Sequence, residues 1–303
     1  MITGAASFIG RSLARKLDES GEYCIFAVVR RGSGNNRMFP MSGRVRVIEL
    51  NMDEYQEIPN ILHQPLDACV ALAWDGTRGS ARDDNALQKE NYRHSMECVR
   101  AVCSLGCKKF FSAGSQAEYG NMYGIVDETS ICSPNTAYGK EKLRFYTDAF
   151  RVCEKSGTCL IEPRFFSLYG EGDNPNTMIL SILDAMLKNK PCRLTACIQR
   201  WDFLYIEDAV RGLELLLSSE CAQGVYNFAS GTNRVLKEYI DEMYKITQSE
   251  SRLLYGAVPY PKTGMVSMQP SVEKLQRETG WKPYVTFAQG IQRILDSKRK
   301  EGR

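Results

Sequence analysis

Three residues of this chain have the types and the spacing of a proton-transfer site. Tyr138 and Lys142 are four residues apart, so a helix places both on one face. A free tyrosine has a pKa of about 10, and a neighbouring ammonium ion favours the phenolate and lowers that pKa. Ser115 follows an apolar run, and parallel sheets present active-site residues where such strands end. We therefore predict that Tyr138 exchanges a proton with a substrate oxygen that Ser115 holds by a hydrogen bond, beside Lys142.

A loop of small residues near the start of the sequence predicts a pyrophosphate site. Residues 3–10 read TGAASFIG and stand where a predicted helix begins. Small residues let the backbone turn tightly and approach a phosphate, and the free N–H groups of a helix N-terminus attract the anion. The alternative is a tight turn without a ligand. The predicted contacts to a dinucleotide cofactor are Gly4, Ser7, Phe8, Ile9 and Gly10.

The end of the second predicted strand indicates which dinucleotide is bound. An acidic residue at that point binds the adenosine ribose of NAD, but residues 28–33 read VVRRGS and contain no acid. The guanidinium groups of Arg30 and Arg31 and the hydroxyl of Ser33 suit a 2′-phosphate through charge-assisted hydrogen bonds. We predict NADP as the cofactor, with NAD as the alternative if the two arginines are solvated surface residues.

Apolar runs of strand length alternate with amphipathic stretches in the first half of the chain, which favours βαβ units on a parallel sheet. The predicted strands are Cys24–Val29, Val45–Leu50, Ala68–Ala73, Lys109–Ser112 and Thr158–Glu162, and the predicted helices are Arg11–Ser20, Asn85–Leu105 and Gly139–Ser156. After about residue 165 the alternation fades. We predict an α/β fold of the Rossmann type, a doubly wound parallel sheet in residues 1–165 to which residues 202–230 return. Residues 166–303 then form mainly a smaller C-terminal α/β substrate lobe.

The first strand of this sheet is short in the sequence. Only Met1 and Ile2 precede Thr3, whereas a central strand usually has about five residues. We therefore expect the natural chain to begin upstream of Met1.

The composition is that of an ordinary globular protein, with 303 residues, 43% of them hydrophobic, and a net charge of +3. This charge is too small to predict nucleic acid or a membrane surface as a partner. The apolar runs are shorter than the roughly 18–20 residues that span a bilayer. The eleven cysteines are scattered and form no CxxC pair, so we predict reduced thiols, no bound metal and a cytoplasmic protein.

The order of these motifs resembles that of the extended short-chain dehydrogenase/reductases, the group of nucleotide-sugar epimerases, dehydratases and reductases. TGAASFIG resembles the family's TGxxGxxG loop except at Ser7, AGSQAEYG (113–120) resembles the segment that carries its serine or threonine, and YGKEK (138–142) matches its YxxxK. PRFFSLYG (163–170) and WDFLYIED (201–208) are similar to later landmarks. The resemblance implies a Ser–Tyr–Lys site, a nucleotide-diphosphate sugar as substrate, and a homodimer formed through residues 85–105 and 139–156.

The resemblance also implies further contacts. For the cofactor they are Leu72, Ala73, Asn91 and Pro163, together with Tyr138 and Lys142, and for the substrate they are Gln116, Ser167, Arg200 and Tyr205. Arg164 and Tyr169 are additional substrate candidates. Relatives commonly have an asparagine that touches the substrate diphosphate where this chain has Ser167, and an arginine where it has Trp201. Arg200, one position earlier, is therefore a candidate by its charge.

The residues after Ser115 bear on the reaction. Dehydratases of this family carry Thr-Asp-Glu where this chain reads Ser115-Gln116-Ala117, and neither Gln116 nor Ala117 transfers a proton. Glu118 is one position late, and on a strand-like backbone it faces away from the site. A 4,6-dehydratase is therefore disfavoured.

Two reactions of the Ser–Tyr–Lys group remain, ketone reduction and epimerisation at C4 of the sugar. The arginine pair favours NADP, which cells keep mostly reduced. The segments GSQAEYG and WDFLYIEDA also resemble the reductases that make deoxysugars of the CDP-abequose, CDP-paratose and dTDP-fucose type. We predict NADPH-dependent reduction of a nucleotide-diphosphate 4-keto-6-deoxy sugar. The alternatives are a nucleotide-sugar 4-epimerase and a non-catalytic NADP-binding protein.

Overall fold

The computed structural model describes residues 1–35, 39, 42–260 and 264–301. In the first half lie β1 (Ile2–Thr3), α1 (Phe8–Ser20), β2 (Ile25–Val29), β3 (Val45–Glu49), α2 (Ile58–Leu62), β4 (Ala68–Ala71), α3 (Asn85–Ser104), β5 (Lys109–Ser112), β6 (Gly114–Ser115), β7 (Tyr123–Val126) and α4 (Ala137–Ser156). In the second half lie β8 (Cys159–Phe165), β9 (Ser167–Tyr169), α5 (Met178–Leu187), β10 (Cys192–Arg193), β11 (Arg200–Trp201), β12 (Phe203–Tyr205), α6 (Ile206–Ser218), β13 (Gly224–Phe228), β14 (Arg234–Val235), α7 (Leu236–Thr247), β15 (Leu253–Leu254), β16 (Ser267–Pro270), α8 (Glu273–Thr279) and α9 (Phe287–Glu301).

The large sheet is parallel and doubly wound, which confirms the predicted fold class. Its strand order is β13-β8-β5-β4-β1-β2-β3, and β6 also pairs with β8. Short β1 lies at the centre, where Ile2 is opposite Ala27 of β2 and Val70 of β4. The strand order reverses at β1, and in such sheets ligands bind beyond the carboxyl ends of the strands at that point.

The predicted strands and helices of the first half are all present, with shifted ends. The largest differences at an end are three residues: α1 begins at Phe8 rather than Arg11, and β8, predicted to end at Glu162, continues to Phe165. This extension exists because β13 pairs with β8 as far as Phe165, and β6 pairs with Arg164 and Phe165. Since strand pairing between distant segments is a tertiary contact, the local apolar pattern did not show it.

Apolar side chains cover both faces of the sheet. Residues such as Val99 of α3, Phe110 of β5 and Phe145 of α4 form the core on one face. On the other face α1 and α6 pack through residues such as Leu13 and Leu213. Burying a phenylalanine or leucine side chain stabilises the fold by about 1.5–3 kcal/mol. These apolar contacts therefore fix α1, α3, α4 and α6 against the sheet.

The segment after β8 adds small sheets and an aromatic cluster beside the large sheet. β12 pairs with β9 in parallel, and β11 pairs with β14 in antiparallel orientation. The rings of Phe203, Tyr239 and Phe287 pack with centroids 4.8–5.6 Å apart. Since β9 follows β8 after a single residue, this part of the chain begins at the carboxyl end of the large sheet. Among the described helices, none is both long and apolar enough to cross a membrane.

Candidate active site

Two glycines of the 3–10 loop stand where a side chain does not fit. Gly4 has a φ of +61°, a left-handed conformation that costs energy for residues with a Cβ. A Cβ at Gly4 would also lie 2.8 Å from the backbone nitrogen of Ala73, in the loop after β4. A Cβ at Gly10 would overlap the carbonyl oxygen of Gly4. Glycine at these two positions therefore lets the loop turn tightly and the start of α1 pack closely on it, as in loops that bind a pyrophosphate.

Ser7, which departs from the glycine pattern of the family, is the N-cap of α1. Its side-chain oxygen accepts a hydrogen bond of 3.1 Å from the backbone nitrogen of Gly10. Serine is a preferred N-cap because its oxygen satisfies one of the N–H groups that a helix start leaves without a partner. The substitution therefore caps the helix at the point where a phosphate is expected.

A cleft of about 520 Å³ lies beside this loop, beyond the carboxyl ends of the central strands. Its lining includes the predicted cofactor contacts Gly4, Ser7, Arg30, Leu72, Ala73 and Asn91. Asn51, Met52 and Asp53 line it too, although no sequence motif pointed to them. They follow β3 closely, so the rule that ligands bind where parallel strands end could have found them. The tight loop and this cleft together fit a dinucleotide, and we refer to the cleft as the dinucleotide cleft.

The two arginines after β2 already have partners. The Arg30 guanidinium is 2.8 Å from Asp75, and that of Arg31 is 2.9 Å from Glu54. The Ser33 hydroxyl donates to the backbone oxygen of Arg30. Exposed ion pairs of this kind contribute about 0–1 kcal/mol, so a phosphate can replace the carboxylates. The sequence showed no acid after β2 because these two acids come from other segments.

Asn91 of α3 holds the loop that follows β4. Its side-chain nitrogen donates to the backbone oxygen of Asp75 at 2.9 Å, and its side-chain oxygen accepts from the backbone nitrogen of Asp75 at 3.0 Å. The oxygen and the nitrogen of this buried amide thus both bond to the backbone of Asp75, and the nitrogen also donates to Gln88 at 3.4 Å. Asn91 fixes the wall of the dinucleotide cleft.

The structure brings Ser115, Tyr138 and Lys142 together. Tyr138 and Lys142 lie on the first two turns of α4, which begins with Thr136 as N-cap. A Cβ at Gly139 would overlap the carbonyl oxygen of Ala117, so the start of α4 packs directly against the segment after Ser115. The Lys142 ammonium is 5.9 Å from the centre of the Tyr138 ring.

The ammonium group of Lys142 is buried against Trp74. Lys142 Nζ lies 3.7 Å from the centre of the Trp74 ring, and it donates a hydrogen bond of 2.9 Å to the carbonyl oxygen of Ala113. Trp74 Nε1 in turn donates to Gln88 at 2.7 Å. The face of the Trp74 ring therefore contacts the buried cation.

Burial shifts the two titrating groups in opposite senses. It raises the pKa of Tyr138 to about 12, although a hydrogen bond with Ser115 and the positive charge of Arg82 act to lower it. Burial lowers the pKa of Lys142 to about 7, against the carboxylates of Glu118 and Glu162, which raise it. Near neutral pH the phenol is therefore protonated and able to donate, while the lysine is close to half-titrated.

Glu118 lies on a different backbone from the one predicted. It ends the 3₁₀ helix Gln116–Glu118 rather than a strand, and its side chain is fully buried. One carboxylate oxygen accepts from the backbone nitrogen of Ser115 at 2.7 Å, and the other accepts from Arg164 Nε at 3.1 Å. The prediction that it faces away from the cleft agrees with these contacts, but the strand on which it was based is absent.

Arg164 was a candidate substrate contact and is instead an internal cation. Its Nε also donates to Glu162 at 2.8 Å, and all three side chains of this group are buried. Burial raises the pKa of Glu162 well above its usual range, and the neighbouring Glu118 adds to that shift. The two acidic side chains and the guanidinium thus form a buried, hydrogen-bonded support behind Ser115.

A second cleft, of about 830 Å³, contains the catalytic candidates, and we refer to it as the catalytic cleft. Ser115, Gln116, Tyr138, Lys142 and Ser167 line it, with Phe8 and Ile9 of α1. Trp201 lines it as well, and Trp201 Nε1 donates to the Ser167 hydroxyl at 2.9 Å. The two departures from the family's phosphate contacts are therefore bonded to each other. Trp74 lines both clefts and lies between them.

Several predicted contacts, Gly10 among them, lie away from the residues that line either cleft in the described part of the chain. The hydroxyl of Tyr205 is directed to Glu171, and its side chain is buried. Arg200 is exposed, and its guanidinium donates to the carbonyl oxygen of Asn233 at 2.7 Å. Pro163 is buried within β8, opposite Tyr226 of β13. Arg31 and Ser33 also lie beyond this lining, as does Tyr169, which is buried and donates to Phe287.

A doubly wound sheet with a tight glycine loop, a half-buried serine and a buried tyrosine and lysine defines a dinucleotide-dependent enzyme of the short-chain dehydrogenase type. The model of the NAD dependent epimerase/dehydratase family matches residues 1–229, more than half of the chain. The chain therefore belongs to this family, and it is an NAD(P)-dependent enzyme.

Individual proteins are also similar over nearly the whole length. CDP-abequose synthase of Salmonella muenchen is 26% identical over 302 residues, which cover 98% of this chain and 97% of that protein. A UDP-glucose 4-epimerase of Thermotoga maritima, solved with UDP-glucose, has a TM-score of 0.88 at 21% identity and covers 100% and 99% of the two chains. A UDP-glucuronic acid 4-epimerase of Bacillus cereus, solved with UDP-glucuronic acid and NAD, has a TM-score of 0.84 at 21% identity and covers 99% and 98%.

The Gly4 contact predicts a difference between two alanine variants at opposite ends of α1. Gly4→Ala combines a positive φ with a backbone clash, whereas Gly21→Ala has a φ of +77° and nothing within 4 Å of its Cβ. We expect Gly21→Ala to lose about 1–2 kcal/mol and to keep its affinity for the dinucleotide. Gly4→Ala should lose more stability and most of that affinity. Thermal unfolding and NADPH fluorescence titration measure the two effects, and equal results for both variants contradict the assignment.

The burial of Lys142 predicts a pH-dependent cost to stability. Because the pKa is about 10.5 in the unfolded chain and about 7 in the folded one, the cost of the buried charge is full below pH 7 and is relieved as the pH rises towards 10. Lys142→Met should therefore stabilise the protein at pH 6, by about 3–5 kcal/mol relative to the same substitution at pH 10, while it abolishes turnover. Urea unfolding at both pH values measures this, with exposed Lys140→Met as the control. Equal pH dependence for the two variants contradicts it.

Proposed function

We propose that this enzyme reduces the 4-keto group of a nucleotide-diphosphate 4-keto-6-deoxy sugar with NADPH. The observation that carries the proposal is the position of Tyr138, which is buried on the catalytic cleft beside Ser115 and Lys142, where its phenol can donate a proton to a bound sugar. Reduction of a ketone requires a proton donor, because the carbonyl oxygen becomes a hydroxyl group. An epimerase begins with an oxidation, which requires a proton acceptor at the same position.

The chemistry of the step follows from the residues of the catalytic cleft. A bound nicotinamide supplies the hydride for the sugar C4. Tyr138 then donates its phenolic proton to the C4 oxygen, which Ser115 holds by a hydrogen bond. The ammonium of Lys142 stabilises the tyrosinate that remains, until this tyrosinate takes a proton from solvent and becomes the phenol again. The product is a 4-hydroxy sugar, and the enzyme releases oxidised cofactor after each turnover.

Two observations support the sugar part of this proposal. Gln116 lines the catalytic cleft without an acidic side chain, and the carboxylate of Glu118 is engaged with Ser115 and Arg164. No residue at these positions can therefore eliminate water as a dehydratase does. The similarity to CDP-abequose synthase, which extends over 98% of this chain, agrees with a deoxysugar substrate.

The preference for NADP rests on Arg30. It lies on the dinucleotide cleft, and its exposed pair with Asp75 is weak enough for a 2′-phosphate to displace. Arg31 is adjacent and can reach the same phosphate from its pair with Glu54. The B. cereus epimerase was solved with NAD, so the two dinucleotides must be compared directly.

A nucleotide-sugar 4-epimerase is the second candidate. Structures of two 4-epimerases superimpose on the chain with TM-scores of 0.84 and 0.88. Both reactions use the same serine, tyrosine and lysine. They differ in the consumption of cofactor, since reduction uses one NADPH for each sugar and epimerisation uses none.

The first test follows the absorbance at 340 nm with NADPH and CDP- or dTDP-4-keto-6-deoxyglucose. We expect loss of absorbance with the wild-type enzyme and a decrease in kcat of about 10²–10⁴-fold in Tyr138→Phe, with NADPH affinity nearly unchanged. The control is Tyr284→Phe, which alters an exposed tyrosine. No oxidation of NADPH with any such sugar, together with interconversion of UDP-glucose and UDP-galactose, selects the epimerase. Undiminished turnover by Tyr138→Phe eliminates Tyr138 as the proton donor.

The second test addresses the cofactor. The double variant Arg30→Ala/Arg31→Ala should weaken NADPH binding by about tenfold or more, because each charge-assisted contact contributes about 1.5–3 kcal/mol. NADH binding should change little. Isothermal titration with both dinucleotides measures this, and Arg15→Ala on the exposed face of α1 controls for the loss of charge. Equal weakening of NADPH and NADH would refute a 2′-phosphate contact.

A further inference from the structure

Arg82 lies at the catalytic cleft on a segment that the family motifs do not include. It belongs to the 3₁₀ helix Gly79–Asp83, between β4 and α3. Gln88 of α3 fixes this segment, because its side-chain nitrogen donates to the carbonyl oxygens of Gly76 at 3.1 Å and Ala81 at 2.8 Å. Gln88 is fully buried, and it also accepts the hydrogen bond from Trp74. The segment that carries Arg82 is therefore held by α3, the helix that also bonds to Trp74 through Gln88.

The guanidinium of Arg82 packs on the phenol of Tyr138. Its central carbon is 5.0 Å from the centre of the Tyr138 ring, a cation–π contact. Its Nε is buried and has no hydrogen-bond partner. Within the described residues no carboxylate lies within ion-pair distance of Arg82. A guanidinium has five N–H donors, so this side chain has hydrogen-bonding capacity that the protein leaves unused.

Arg78 precedes the same 3₁₀ helix and, unlike Arg82, has a carboxylate partner. It lines the catalytic cleft too, but its guanidinium is 3.0 Å from the buried carboxylate of Asp173. Lys142, the third cation of this lining, contacts Trp74 and donates to Ala113. Arg82 thus differs from both of these cations, because a ring rather than an acceptor holds it.

The opposite wall of the cleft lacks cations at the positions where relatives have phosphate contacts. Ser167 and Trp201 are bonded to each other, and Arg200 donates to Asn233. An arginine beside Tyr138, however, is close to the oxygen that receives the proton. A fixed positive group at that position stabilises the negative charge that develops there as the ketone is reduced. The charge of Arg82 also acts to lower the pKa of Tyr138, which eases proton release.

We propose that Arg82 is a catalytic residue that donates hydrogen bonds to the sugar of the substrate beside the reacting C4 and stabilises the negative charge on its oxygen. This assignment rests on the proposed site at Tyr138, and it holds for either direction of hydride transfer. The ligand group that it recognises is a neutral or partly negative sugar oxygen and not the diphosphate.

The test compares Arg82→Met and Arg82→Lys with the wild type. At saturating NADPH, Arg82→Met should lower kcat for the 4-keto sugar by about 10²–10³-fold, and Arg82→Lys should recover part of this loss. NADPH affinity and the thermal midpoint should change little in both variants. The control is Arg100→Met, which removes an exposed arginine paired with Glu97 on α3. Unchanged turnover in Arg82→Met would overturn the proposal.

Binding measurements locate the contact. Isothermal titration with CDP-4-keto-6-deoxyglucose and with CDP should show weaker binding of the nucleotide sugar in Arg82→Met, while CDP binds as it does to the wild type. Equal weakening of both ligands places Arg82 at the diphosphate and overturns the assignment. If Arg82→Met does not fold, Arg82→Lys alone decides, since its loss must again be confined to the nucleotide sugar.

The proposed function can fail separately. If the wild type interconverts UDP-glucose and UDP-galactose and does not reduce the keto sugars, the reductase is excluded. The same titrations with UDP-glucose and UDP then test Arg82. Loss confined to UDP-glucose supports Arg82 as a sugar contact in an epimerase, and equal or absent loss refutes it.

Discussion

The burial of Lys142 beside Tyr138 on α4 is the constraint on which the site depends. Taking an ammonium out of water is expensive, and here a carbonyl oxygen and the face of Trp74 are its direct partners. The same burial keeps the phenol protonated. Pairs of titrating groups whose environments shift their pKa values in opposite directions are typical of acid–base sites. The carboxylates behind Ser115 moderate the shift of the lysine, so the internal cluster around Arg164 serves the site as well as the fold.

The loop between β4 and α3 joins the two clefts. Trp74 lines both of them, Asp75 pairs with Arg30, and Arg82 packs on Tyr138. Two amide side chains of α3 hold this loop, Asn91 at its start and Gln88 near its middle. A buried amide that satisfies backbone groups fixes a loop more strictly than surface contacts do. The walls of both clefts are therefore tied to the position of α3.

The residues that depart from the family pattern form hydrogen bonds within the protein. Ser7 replaces a glycine and caps α1, while Ser167 and Trp201 replace two phosphate contacts and bond to each other. The ring of Trp74 packs against the ammonium group of Lys142. Ser7, Ser167 and Trp201 each form a hydrogen bond within the protein. The site is thus consistently built, which agrees with an active enzyme rather than one whose catalytic residues have drifted.

The sequence by itself determined the fold class, the glycine loop, and the grouping of Ser115, Tyr138 and Lys142. These features depend on local periodicity and on spacing within one helix or at one strand end. Residues close together in the sequence are enough to predict them. Only the tertiary structure decided which side chains each charged residue contacts. Arg164 is buried and forms ion pairs with Glu118 and Glu162. Arg82, which belongs to no family motif, packs on the ring of Tyr138. The partners of these cations are often distant in the sequence, up to 56 residues for Arg82 and Tyr138 by their numbers. Which of them meet is set by strand order and helix packing, which no local pattern records.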